Sequence, residues 1–93
     1  MSLSGIAGQA GTTSSSIEKL ITTGQGSAGL ASQIGTTSSN ITDFVNGQAS
    51  SGIAFALGTT SSNVQRLRDM IGREGAIGLI IGLACGIGHA KRN

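Results

Sequence analysis

The residues able to do covalent or metal chemistry are few and far apart. His89 is the only histidine, Cys85 the only cysteine, and the four acids, Glu18, Asp43, Asp69 and Glu74, are dispersed along the chain. A metal site needs three or four such ligands at short, set spacings, and no stretch supplies them. General acid-base work needs a positioned pair of titratable groups, and none is paired here. Serine is abundant, but no Gly-x-Ser-x-Gly run presents one as a nucleophile and no phosphate-cradling loop is present. The chain therefore reads as non-enzymatic, with no cofactor and no metal. Cys85, set among glycines, reads as a small packing residue.

What remains is the chemistry of packing, and it is organised by a repeat. Gly-Thr-Thr-Ser-Ser occurs three times, at 11–15, 35–39 and 58–62, spaced by 24 and then 23 residues. Its flanks repeat too: Ile6-Ala7, Leu30-Ala31 and Ile53-Ala54 precede it, and Ile17, Ile41 and Val64 follow it. Such self-similarity is the mark of stacked supersecondary units. The repeats divide residues 1–72 into about 3–26, 27–49 and 50–72, with residues 73–93 as a separate apolar segment.

Apolar spacing selects helix over strand. Ile53, Leu57, Thr60, Val64, Leu67 and Ile71 step by four, three, four, three and four residues, a heptad seam. Ile6, Ala10, Thr13, Ile17 and Leu20 repeat this register, as do Leu30, Ile34, Thr37, Ile41 and Phe44. The seam residues Ile17, Leu20, Ile41, Phe44, Val64, Leu67 and Ile71 are the candidate oligomer contacts.

Two helical geometries follow. In one, each Gly-Thr-Thr-Ser-Ser is a turn that starts a new helix, with Ser15-x-x-Glu18 and Ser62-x-x-Gln65 as capping boxes. In the other, which the unbroken register favours, the helix runs through the motif and breaks at Gly24–Ser27 and Asn46–Ser51, giving helices at about Leu3–Thr23, Ala28–Val45 and Gly52–Ile71. Neighbouring chains could also hold the breaks helical, making one rod about 100 Å long. The predicted fold class is thus all-α: three repeats of about 23 residues, as helical hairpins or as one long helix in an oligomeric bundle, then an apolar C-terminal helix.

That last segment carries the most specific signal. Gly78, Gly82 and Gly86 fall four residues apart and lay a smooth groove along one helix face, the pattern by which helices approach closely in lipid. Residues 75–90 carry no charge and span about 24 Å as a helix, against a bilayer core of ~30 Å. Arg66, Arg68 and Arg73 on one side and Lys91 and Arg92 on the other could reach the interfaces. Charge is correspondingly uneven: residues 1–65 carry Glu18, Lys19 and Asp43, whereas residues 66–93 hold the other five cations and two acids. No aromatic residue interleaves with the arginines, which disfavours nucleic acid as partner.

Gly, Ser, Thr and Ala make up 48 of the 93 residues, so large core-forming side chains are scarce, and further copies of the chain or lipid are expected to supply burial. The start, Met-Ser-Leu-Ser-Gly, has no basic n-region, so no secretory signal is expected. At the level of class the chain resembles the small Gly/Ser/Thr-rich structural proteins of virions and of secretion or injection machines, where short repeats assemble and a terminal apolar helix meets membrane. The resemblance implies a homo-oligomeric structural protein of a phage or virus particle, membrane-associated or forming a conduit, with itself, lipid or other structural proteins as partners. A holin-like pore former and a soluble module docking into a larger shell or tail complex are the other expectations.

Overall fold

The computed structural model describes the backbone of residues 3–48 and 51–92 and the side chains of residues 5–48 and 51–87. Among these residues there are six helices and no strand: α1 (Leu3–Gln9), α2 (Ser14–Thr23), α3 (Ala28–Ile34), α4 (Ser38–Val45), α5 (Ser51–Leu57) and α6 (Ser61–Arg92). The helical expectation holds, but the expectation of a helix running through each Gly-Thr-Thr-Ser-Ser is overturned. All three copies are turns, and each repeat is a hairpin: α1 with α2, α3 with α4, and α5 with the first part of α6.

The turn is built the same way each time. Gly11, Gly35 and Gly58 take φ values of 70°, 91° and 72°, a left-handed conformation that glycine adopts without a side-chain clash. The next N–H, of Thr12, Thr36 or Thr59, then reaches back to the carbonyl of Ala7, Ala31 or Ala54, at 2.9 Å in every case. The second threonine caps the following helix. Thr13, Thr37 and Thr60 Oγ1 accept from the backbone N–H of Ser16, Asn40 and Asn63 at 3.2, 3.2 and 3.3 Å, each contributing about 1 kcal/mol. These threonines are therefore exposed caps, not seam residues, and they displace the capping boxes expected at Ser15 and Ser62.

The outer ends of the hairpins fall where the glycine clusters predict. α2 ends at Thr23, with Gly24 left-handed at φ 74° and its N–H on the Leu20 carbonyl at 2.9 Å. α4 ends at Val45, where Arg68 donates from Nε to the Phe44 and Val45 carbonyls (3.0 and 3.2 Å) and from Nη2 to Val45 (2.8 Å). A cation over the last carbonyls of a helix satisfies acceptors that have no partner within it.

One core results. Ile17, Leu20, Leu30, Ile41, Phe44, Val45 and Ile53 are fully buried, together with Ile80 from the apolar segment. The small positions Ala7, Ala31 and Ala54 are also buried, which lets each hairpin close tightly. The longest dimension is 33 Å and the radius of gyration 12.1 Å, close to the ~12 Å of a compact chain of this length. A rod of about 100 Å is excluded for this state.

Candidate functional site

α6 touches every other helix and bends once. Gly72 takes φ 75° and ψ −178°, a region essentially restricted to glycine. Before the bend, residues 61–71 complete the third hairpin; after it, residues 73–92 lie across the hairpins. Gln33 Nε2 donates to the Ala84 carbonyl at 3.2 Å, and the Cys85 thiol donates to the Ile6 carbonyl at 3.8 Å. Cys85 is half-buried, a packing position.

The buried face of this segment is not the glycine face. Ala76, Ile77, Ile80 and Ala84 point inward and are buried. Gly78, Gly82 and Gly86 lie two residues further on, about 200° around the helix, and all three are exposed. A Cβ built on any of them meets no atom within 4 Å. Leu79, Ile81, Leu83 and Ile87 are half-buried between the two faces. By length and composition α6 is a helix able to cross a membrane: over Ser61–Ile87 its most apolar 18-residue window has a mean hydropathy of 1.6, yet only 22% of that window is buried.

Comparison of the chain with protein-family models, with curated proteins and with solved structures finds no match.

The remaining sequence candidates separate cleanly. Of the seam residues, Ile17, Leu20, Ile41, Phe44 and Val64 are filled from within the chain, and Leu67 and Ile71 are half-buried. A second copy meets the first five only if the hairpins open. Of the basic residues, Arg66 is exposed, Arg68 is spent on the end of α4, and Arg73 lies beside Gly24 at the end of α2. The side chains of Lys91, Arg92 and His89 lie outside the described residues. Among the described residues, no three of His, Cys, Asp and Glu gather as a metal site would require.

Two exposed residues escaped the sequence reading. Phe55 on α5 is 83% exposed and Met70 on α6 is 82% exposed. The repeat itself flags them, because the equivalent positions hold Gly8 and Ser32 for Phe55, and Thr23 and Gly47 for Met70. Ile21, 43% exposed, lines a groove of about 300 Å³ with Arg73, Glu74, Ile77 and Gly78, where α2 meets the bend of α6.

Proposed function

We propose that the protein is a non-enzymatic structural component that associates with a membrane through α6 and with further copies of itself, in the setting of a phage or virus particle. The supporting observation is the open side of α6: it is apolar enough to span a bilayer, only 22% of that window is fully buried, and its face of Gly78, Gly82 and Gly86 is exposed. A core helix of a soluble fold buries such a window. Lipid, or other helices within lipid, would cover it, and the open face of Gly78, Gly82 and Gly86 would then let backbones approach closely. The oligomeric bundle belongs to this proposal, with the hairpins outside the bilayer.

Gly82→Arg tests the membrane half. The position is exposed and open, so the folded chain accommodates the side chain, but a charge near the middle of a span costs about 2.5–3.5 kcal/mol. The parent chain is expected to float with liposomes and to resist carbonate extraction, and the variant to lose at least tenfold of its resistant fraction. Parent protein that carbonate removes completely would sink the proposal. Gly82→Leu addresses self-association: the isolated chain should keep its melting temperature, while oligomers in mild detergent shrink because a branched side chain holds the backbones apart.

A further inference from the structure

The three hairpins join one another through a junction that is made twice and left open at both ends. At the first junction, a Cβ on Gly29 of α3 would stand 2.7 Å from Oγ1 of Thr12, in the turn of the preceding hairpin. At the second, a Cβ on Gly52 of α5 would stand 2.8 Å from Oγ1 of Thr36 and would also collide with the Asn40 amide. Gly29 and Gly52 hold the same place in the repeat, six residues before the turn glycine, and Thr12 and Thr36 both follow that glycine. Each junction thus seats a bare helix backbone on a threonine, where any side chain would hold the helix off.

Burial follows this logic along the chain. On the leading side, Gly29 and Gly52 are half-buried while Gly5, their equivalent in the first hairpin, is exposed, and a Cβ on Gly5 meets nothing within 4 Å. Leu30 and Ile53 are fully buried, but their equivalent Ile6 is half-buried. On the trailing side, Thr12 and Thr36 are half-buried while Thr59 is exposed, and Ser16 and Asn40 are half-buried while Asn63 is exposed. Leu20 and Phe44 are buried, but Leu67 is half-buried.

The open trailing face is built like the occupied one. Asn40 Nδ2 donates to Thr36 Oγ1 at 2.9 Å beneath Gly52, and Asn63 Nδ2 donates to Thr59 Oγ1 at the same 2.9 Å, with both residues exposed among the described residues. The outer face of a terminal unit is normally polar, and Thr59 and Asn63 are polar too, but so are Thr36 and Asn40 in the occupied junction. Here the last hairpin keeps the seat, and the first keeps the glycine that fits it.

We infer that copies of this chain associate head to tail, the α1 face around Gly5 and Ile6 of one copy docking on the Thr59, Asn63 and Leu67 face of the next. This rests on the self-association reading and specifies its surface. The contact is heterologous, so it closes into a ring if the rotation per copy allows and otherwise extends as a filament. It leaves the five fully buried seam residues in place and does not occupy the glycine face of α6, which stays open to lipid or to other helices.

Two blocking variants test it in the full-length chain, in mild detergent, by sedimentation velocity over a range of concentrations. Gly5→Arg blocks the head and Thr59→Arg blocks the tail; both positions are exposed, and the Thr59 backbone N–H keeps its bond to Ala54. The parent should grow beyond a dimer with concentration, and each variant alone should associate at least tenfold more weakly. An equimolar mixture should regain association that neither variant shows alone, because one variant retains a working tail and the other a working head. Variants that associate like the parent would overturn the head-to-tail contact and leave self-association standing. A mixture that stays monomeric would also overturn it, and a parent that stays monomeric throughout would remove both. Helical circular dichroism checks that each variant folds, and Asn63→Arg replaces Thr59→Arg if the latter does not.

Discussion

Phe44→Ala is expected to lower stability by about 3–5 kcal/mol, the usual cost of emptying a fully buried aromatic site. Phe44 is the largest side chain with no exposure at all, and it lies in the central hairpin, which has a neighbour on either side. Its backbone is held as well, since its carbonyl accepts from Arg68 Nε, so the vacated space cannot close by a simple shift of α4. A small domain has about 5–15 kcal/mol to lose, so the variant should be partly unfolded at 37 °C. The equivalent residue of the third hairpin, Leu67, is half-buried, and Leu67→Ala should cost less than half as much. Urea titrations followed by circular dichroism would compare the two. Equal losses would mean that the central hairpin does not carry the core.

The ends of the hairpins were legible in the sequence because glycine clusters stop helices for a local reason. Thr23, Ala28 and Val45 are helix ends in the structure as the clusters at Gly24 and Asn46 indicate. The inner turns were not legible from apolar spacing. A hairpin folds both of its helices onto one core, so Ala7 and Ala10 before the turn and Ile17 and Leu20 after it all face inward, and Thr13 happens to keep the step of three and four between Ala10 and Ile17. Spacing alone reads that as one helix. The signal that separates the two cases is chemical: a glycine, then a hydroxyl residue placed three before Ser16, Asn40 or Asn63, is a helix end followed by an N-cap.

The inward face of the last segment was legible in the same sense but competed with a louder pattern. Ala76, Ile80 and Ala84 recur at the same four-residue step as Gly78, Gly82 and Gly86, and only the glycines form a recognised motif. Alanine lets the helix lie close on the hairpins, and isoleucine fills what remains. Gly72 has no other turn residue beside it, but it stands at the end of the third repeat, directly after the helix end expected at Ile71 and before the apolar segment that starts at residue 73. Its left-handed φ is imposed by the packing on either side: residues 61–71 must close the third hairpin, and residues 73–92 must lie across the others.

The glycines divide into those that are crowded and those that face open space, and Gly26→Ala should show the largest effect among the crowded ones. Its Cβ would stand 2.6 Å from Ile41 Cβ, 2.8 Å from Ile41 Cγ2 and 2.8 Å from the Ser38 carbonyl oxygen. None of these is the free end of a flexible side chain. Ile41 is fully buried, and the Ser38 carbonyl belongs to α4 and accepts from Thr42 Oγ1 at 2.9 Å. The segment between α2 and α3 would have to lift away, losing the bond from the Gly26 N–H to Thr42 Oγ1, also 2.9 Å. Overpacking and the lost hydrogen bond together should cost about 2–4 kcal/mol, which for a chain of this size lowers the melting temperature by roughly 10 °C or more. Gly8→Ala is the matched contrast: Gly8 is exposed on α1 and a Cβ there meets nothing within 4 Å. Better helix propensity should make that variant more stable by up to about 1 kcal/mol. Thermal melts of the two variants beside the parent should therefore move in opposite directions. A Gly26→Ala melt at or above the parent temperature would mean that the second hairpin does not close over the segment between α2 and α3.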